Sequence, residues 1–255
     1  MLKHERQSFI ERELQNKGSV LVSELSKQLR CSEETIRRDI KEMEADNRLE
    51  KTYGGAYLPE NYDKGYPIEL RETLLKSEKE EMTRKAVEMI KDHSVLMLDA
   101  STTCLELVNA LIQAKKIVTV ITNSLRICTL VNSQICNINL ICLGGQLHKL
   151  TASFTGYKTT EQIQQNFADI SFISCPAANI QFGLSDNNLK ESEVRKAMLE
   201  YSHKKVLIAD HTKIDSIADI LFYKLSKIDV LITDQELPYT WVEYCNQSSI
   251  EVIYV

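Results

Sequence analysis

No stretch of this 255-residue chain stays apolar for the roughly 20 residues that cross a bilayer, so no membrane-spanning helix is expected. The opening MLKHERQSFIERELQ is charged throughout, which excludes a secretory leader and predicts a cytoplasmic protein. None of the seven cysteines stands in a CxxC pair. Most lie inside apolar runs, as Cys142 does in INLICLGG, which predicts small buried thiols in a reducing cytosol rather than a zinc or disulfide framework. Basic charge is not in excess either: 31 Lys and Arg against 36 Asp and Glu give a formal net charge of −5. Overall charge therefore supplies no signature of nucleic-acid binding; only a clustered basic face would. What is present, 43% hydrophobic and 26% charged residues, is ordinary for a globular protein and excludes a disordered chain.

Charge by segment says more. Residues 1–57 hold eleven basic and eleven acidic side chains, so a neutral N-terminal segment precedes an acidic body. Phe9, Ile10 and Leu14 take helical spacing within residues 4–16, and Asn16 to Gly18 read as a stop. VSELSKQL places Leu25 and Leu29 four apart, with Ser23 as a candidate N-cap. CSEETIRRDIKEMEADN predicts a third helix, capped by Ser32, with Glu33 and Glu34 at the positive end of its dipole and Ile36, Ile40 and Met43 buried. RLEKTYGGAYL reads as two short strands around Gly54–Gly55. Three short helices followed by a hairpin describe a winged helix-turn-helix.

With Ile36, Ile40 and Met43 inward, Thr35, Arg37 and Arg38 project away from the core. An arginine fork binds guanine bidentately or clamps a phosphate, and a helix of this length fits the major groove. Ser32, Thr35, Arg37, Arg38, Lys41, Gly54 and Gly55 form the candidate DNA-contact set, the wing glycines facing the adjacent backbone. The competing reading is a solvated face with the arginines paired to Glu34, Asp39 or Glu42; the helix–break–helix–wing context favours DNA.

Residues 58–76, with two of the four prolines and a glycine at their start, are the expected linker. From residue 77 to 255, short apolar runs (VLMLDA, VTVITN, INLICLGG, ISFISC, KVLIAD, VLIT, IEVIYV) alternate with helical segments. That alternation predicts an α/β domain with a mostly parallel sheet covered on both faces. Several strands end in polar residues or glycine: Asp99 with Ser101, Thr102 and Thr103; Thr122, Asn123 and Ser124; Gly144 and Gly145; Asp210 and Lys213. Ligands of open α/β sheets bind beyond the carboxyl ends of strands, so these residues are candidate effector contacts. The Ser101–Thr103 hydroxyls and amides fit an anion at a helix start, and the same residue types cap a helix; both readings stand at this point.

GSVLVSELSKQLRCSEETIRRDIKEMEADNRLEKTYGGAYL resembles the DNA-binding module of the DeoR/GlpR family of bacterial transcriptional regulators. The match rests on Ser32, Thr35, Ile36, Arg37, Arg38, Asp39, Gly54, Gly55 and Ala56. Asn47, Tyr53 and Met43 depart from the family's usual glycine, histidine and leucine. LDASTTCLELVNAL, VTVITNSL, ICLGGQL, SFISC, GLSDNN, ESEVRKAM, KVLIADHTKID and IDVLITD are similar, in order, to that family's sensor domain, related to ribose-5-phosphate isomerase. The resemblance implies a Rossmann-like effector domain that binds a phosphorylated sugar or related metabolite, with no resident cofactor or metal. It also implies double-stranded operator DNA as partner and a homodimer or homotetramer reading repeated half-sites. Ser101 stands where the family has glycine and Arg195 where it has lysine; Arg195 joins the candidate effector contacts, with altered oxyanion geometry.

The competing function is a sugar-phosphate isomerase. Aldose–ketose isomerisation needs a general base near the substrate carbon, which related isomerases supply from a carboxylate-rich loop after the central strand. The corresponding SCPAANI, residues 174–180, contains no Asp or Glu, which favours a sensor without catalytic residues.

Overall fold

The computed structural model describes residues 2–17, 19–46, 48–51, 54–57 and 68–255, with the side chains of all of these except 15–17 and 69. Asn47 and Tyr53 lie outside the described residues, as do residues 58–67 of the expected linker. The chain divides into two compact units, Met1–Leu75 and Lys76–Val255.

The first unit runs α1 (Lys3–Lys17), β1 (Ser19–Leu21), α2 (Val22–Leu29), α3 (Glu33–Ala45), β2 (Glu50–Lys51), β3 (Gly55–Tyr57) and α4 (Ile68–Thr73). Ile10, Leu14, Leu25, Ile36, Ile40 and Met43 meet in one core, which is why the helical spacing of these residues predicts α1 to α3 correctly. Two local features differ from the sequence reading. Ser19–Leu21 form a third strand, giving the antiparallel order β1-β3-β2. The chain then enters α2 straight from β1, so Leu21 occupies the N-cap position without a side-chain bond and Ser23 is not the cap. Ser32 does cap α3, accepting the Thr35 N–H at 3.2 Å.

Gly54 and Gly55 have unequal roles. The Gly54 carbonyl accepts the Val22 N–H at 2.9 Å, and among the described residues a Cβ on Gly54 would meet Thr73 Cγ2 at 3.8 Å, an ordinary contact. A Cβ on Gly55 would fall onto the Val20 carbonyl oxygen, because β1 and β3 cross there without room for a side chain. Within the expected linker, Leu70 and Leu74 are buried with Leu21 and Tyr57 against them.

The second unit contains α5 (Lys76–Glu88), β4 (Val95–Leu98), α6 (Thr102–Gln113), β5 (Val118–Thr122), α7 (Leu125–Ser133), β6 (Ile138–Cys142), β7 (Gln146–His148), β8 (Ser153–Thr155) and α8 (Tyr157–Gln164). It continues with β9 (Ala168–Ile173), β10 (Ala177–Asn179), β11 (Gly183–Asp186), α9 (Leu189–Glu200), β12 (Ser202–Ile208), β13 (Ile220–Tyr223), β14 (Val230–Thr233), α10 (Tyr239–Gln247) and β15 (Glu251–Tyr254). Seven strands form one parallel sheet in the order β15-β14-β12-β9-β4-β5-β6. Alternate side chains enter opposite cores: Leu96, Leu98, Val206 and Ile208 on one face, Met97 on the other with Ala197 and Met198, and Leu207 with Trp241. Burial on both faces explains why these strands read as continuous apolar runs. The smaller antiparallel sheet β10-β11-β13 and the hairpin β7–β8 complete the unit.

From β4 the chain steps outward through β5 to β6, then resumes on the other side of β4 with β9, β12, β14 and β15. The reversal lies between β4 and β9. In an open parallel sheet the connections there leave in opposite directions and open a crevice beyond the strand ends.

The cysteine expectation fails at two positions. Cys128 in α7 and Cys142 at the end of β6 are paired as a disulfide, with Cα atoms 6.6 Å apart. β6 is an edge strand, so its apolar sequence does not bury Cys142, which is exposed. Cys104, Cys175 and Cys245 are buried thiols, and Cys31 and Cys136 are half-buried.

We predict opposite outcomes for the two adjacent glycines. Gly55→Ala lowers stability in urea denaturation by about 1–3 kcal/mol or more, the cost of forcing atoms into a filled space. Gly54→Ala leaves the urea midpoint within about 0.5 kcal/mol of wild type, as ordinary contacts do.

Candidate functional site

In the first unit, α3 buries Ile36, Asp39, Ile40 and Met43 and exposes Glu33, Glu34, Arg38, Lys41 and Ala45. Asp39 is buried because its carboxylate receives Arg6 from α1, Nε to Oδ2 at 2.6 Å and a terminal nitrogen to Oδ1 at 3.1 Å. By accepting those hydrogen bonds Asp39 holds the Arg6 guanidinium above its ordinary pKa. The bidentate pair fixes α1 against α3 and sets which side of α3 faces outward.

The seven DNA candidates separate accordingly. Ser32 and Thr35 are occupied in starting the helix, their hydroxyls 2.8 Å apart. Arg37 is half-buried and donates to Glu33 at 3.3 Å, an i,i+4 pair that the sequence reading did not name. Arg38 and Lys41, three residues apart, are the basic side chains that α3 exposes, alongside Glu33 and Glu34. Gly55 serves strand crossing, and Gly54 stands beside it in the turn.

In the second unit the switch point gathers a connected set of buried polar groups. Asp99, just past β4, accepts the Ser101 N–H at 3.2 Å and the Ser101 hydroxyl at 2.6 Å on Oδ1. Its Oδ2 accepts Arg195 Nε at 2.7 Å and the Ser174 N–H at 3.4 Å. Arg195, from α9, also donates to Asp186 at the end of β11. The Ser174 hydroxyl, past β9, receives Lys213 Nζ at 3.0 Å, and Lys213 stands 3.3 Å from Asp210, past β12. One polar chain thus links the ends of β4, β9 and β12 across the point where strand order reverses.

Every charged member of that chain is at least 90% buried. Burial opposes the Arg195 charge, but Asp186 and then Asp99 outweigh it and hold the guanidinium well above its ordinary pKa. Burial likewise works against Asp210; Lys213, the Thr212 hydroxyl and Lys79 outweigh it and leave the carboxylate below its ordinary 3.8. Cys175, buried beside this chain, has its thiol pushed up to about 12 and is a neutral packing group.

The flank on β5 is built from the other candidates. Thr122 Oγ1 accepts the Ser124 N–H at 3.1 Å, and Ser124 Oγ accepts the Ile127 N–H at 3.3 Å to cap α7. Asn123 Nδ2 donates to the Phe154 carbonyl at 2.9 Å, while its Oδ1 is buried with no hydrogen-bond partner. The β7–β8 hairpin is fastened here, Phe154 N–H to Asn123 O at 2.8 Å and Leu125 N–H to Ala152 O at 2.9 Å. Its Thr151 and Ser153 hydroxyls donate to buried Glu191 in the first turn of α9.

Several candidates have structural roles that sequence left open. Ser101 caps α6, accepting the Cys104 N–H at 3.1 Å, with Thr102 and Thr103 buried in the first turn. The Gly144–Gly145 loop is stitched to α8. The Gly144 carbonyl accepts Thr159 Oγ1 at 2.9 Å, and a Cβ on Gly145 would lie 2.8 Å from the Thr155 carbonyl oxygen. Both glycines pack the loop against α8. Sequence reading did not select Ser174, Asp186, Glu191, Ser153 or Lys79. The Glu191–Arg195 spacing of four, one helix face, is the signal that would have found Glu191. No cluster of three His, Cys, Asp or Glu side chains fit to hold a metal occurs among the described residues.

Residues 6–61 match the DeoR-like helix-turn-helix domain and residues 75–235 the DeoR C-terminal sensor domain. The chain belongs to the DeoR family of helix-turn-helix transcriptional regulators. Among its DeoR-type relatives is an uncharacterized HTH-type transcriptional regulator of Haemophilus influenzae, 33% identical over 93% of this chain and 92% of the relative. The L-fucose operon activator of the same organism is 28% identical over 97% and 98%. Ribose 5-phosphate isomerase A from Methanocaldococcus jannaschii superimposes over 55% of each chain with 16% identity and a TM-score of 0.40, too loose a likeness to carry an argument.

Lys213→Met tests the switch-point electrostatics of this DeoR-family sensor unit. In the wild type, the stability contributed by ionised Asp210 is complete above the carboxylate's ordinary 3.8 and is lost as pH falls through the depressed value below it. Without Lys213 that depression shrinks. Unfolding free energy at pH 7 falls by about 3–5 kcal/mol, as for a broken buried pair, and its acid dependence below the ordinary carboxylate range flattens. Urea titrations at a series of pH values measure both.

Proposed function

We propose that the protein represses a sugar-utilisation operon in the cytoplasm and releases its operator when the second unit binds a phosphorylated sugar. The observation that carries the reading is the buried polar chain at the switch point, in a unit separate from the one bearing α3. Asn123 Oδ1, buried and unpartnered, supports a ligand hydroxyl at the β5 flank. Arg195 and Lys213 are the cations to which a phosphate would be drawn, and the Ser101–Thr103 turn is the helix start nearest Asp99. The name of the L-fucose operon relative supports a sugar operon as the regulated target.

On the DNA side, Arg38 and Lys41 lead, α3 lying in the major groove with the wing against the neighbouring backbone. One module reads few base pairs, so the working form is a homodimer or homotetramer on repeated half-sites. The effector acts by preferring one arrangement of the DNA-binding modules, and its leverage is limited to that differential affinity.

A sensor rather than an isomerase is the reading favoured by the loop after β9. Residues 174–180 carry no carboxylate, while Asp99 and Asp210 are each already engaged by a buried cation, Arg195 and Lys213.

Fluorescence anisotropy on operator DNA tests both halves. Arg38→Ala weakens binding by about 1–3 kcal/mol, and Lys41→Ala reduces the salt slope by about 1. A panel of sugar phosphates includes one that releases wild-type protein from the operator. Unchanged affinity in both variants removes the α3 assignment, and no response to any sugar phosphate removes the effector assignment.

A further inference from the structure

We propose that Cys128 and Cys142 form a reversible thiol–disulfide site, oxidised by hydroperoxides, that fixes the β7–β8 hairpin on the strand ends of the sensor unit. The proposal is independent of which metabolite that unit binds. Its first basis is position. Cys142 ends β6 in register with Thr122 of β5, and Cys128 lies in the first turns of α7, its N–H bonded to Ser124 O at 3.1 Å. The bond therefore closes a ring with a sequence separation of 14 that begins four residues after Ser124 and ends in register with Thr122.

The second basis is what hangs from that ring. Leu143, next to Cys142, donates to Thr122 O at 2.8 Å, and β7 begins three residues later. The returning strand β8 bridges Ser153 to Ser124 and bonds Phe154 to Asn123 in both directions. Both roots of the hairpin thus stand within a few residues of the two sulfurs. Cross-linking α7 to β6 restricts the opening motions of an edge strand that has a neighbour on one side only.

The third basis is contrast with the other thiols. Cys104 and Cys175 are fully buried, and burial pushes both thiols up, so they are poor nucleophiles. Cys142 is exposed and Cys128 half-buried, and they are already within bonding reach of each other. In a reducing compartment, disulfides of this kind are transient and redox-sensing rather than structural.

The chemistry balances with a hydroperoxide as oxidant, two waters being released when it is hydrogen peroxide. The Cys142 thiolate attacks the terminal peroxide oxygen; the O–O bond breaks, a sulfenic acid forms, and the departing hydroxide or alkoxide takes up one proton, leaving as water from hydrogen peroxide or as an alcohol from an organic hydroperoxide. The Cys128 thiol then attacks that sulfur, the S–O bond breaks, and a water leaves as the S–S bond forms. Two thiols have lost two electrons to one peroxide. A dithiol reductant reverses the change by exchange, becoming a disulfide itself.

The test uses the full chain, reduced with dithiothreitol, desalted, and split into a reduced sample and one treated with hydrogen peroxide. N-ethylmaleimide labelling and peptide mass mapping should show Cys128 and Cys142 alkylated before peroxide and joined after it, with Cys104 and Cys175 unchanged. Hydrogen exchange of residues 146–155 should slow by about threefold or more on oxidation. Cys142→Ser, read by the same exchange, should lose the peroxide response while keeping the reduced wild-type pattern. Four outcomes overturn the proposal. Both thiols remain alkylatable after peroxide; the bond forms to another cysteine; Cys142 ends as a sulfinic acid without pairing; or the hairpin exchanges equally in both forms.

Discussion

Arg195 sits between Asp99 and Asp186, all three buried, and the sensor unit is arranged around that fact. A guanidinium taken out of water costs several kcal/mol unless carboxylates meet it, and a buried carboxylate is equally costly alone. Each charge is tolerable only while the other two remain in place. The triad therefore fastens α9 and the adjacent end of β11 to the end of β4, nearly a hundred residues earlier in the chain. Glu191, one turn earlier on α9, is thereby aimed at the hairpin hydroxyls of Thr151 and Ser153. A ligand entering the crevice meets charges that already have partners, so it must replace a contact rather than fill a vacancy.

The DNA-binding unit uses the same device on a smaller scale. Asp39, though it belongs to the TIRRD run, makes its contact inward to Arg6 and leaves the outward face to Arg38 and Lys41. Ile36, Ile40 and Met43 supply the packing; the Arg6–Asp39 pair sets helix rotation. An acidic protein can therefore still present Arg38 and Lys41 outward, because which charges face outward is set by packing and not by the sum.

Sequence reading reached the elements whose signal is periodic. Helical spacing gave α1 to α3, and continuous apolar runs gave the strands of the parallel sheet, since burial on both faces removes polar alternation. It missed β1 and the antiparallel β10-β11-β13 sheet, whose three- and four-residue strands are too short for a period to show. Strand-end polarity located Asp99, Asn123, Asp210 and Lys213, because a parallel sheet brings strand ends together whatever the loops do. Asp186 and Ser174 escaped notice because their importance comes from pairing across the fold, with Arg195 and Lys213, which no local pattern records. Cys142 misled for a related reason: an apolar run resembles a buried strand until sheet order puts β6 at the edge.

The account rests on the claim that Asp99 and Arg195 are held by one another. A double-mutant cycle in urea, with Asp99→Ala, Arg195→Ala and the double variant, measures that directly. We expect each single variant to lose about 3–5 kcal/mol and the double variant to lose far less than their sum, a coupling of about 2 kcal/mol or more. Additive losses, with coupling below about 0.5 kcal/mol, would contradict it.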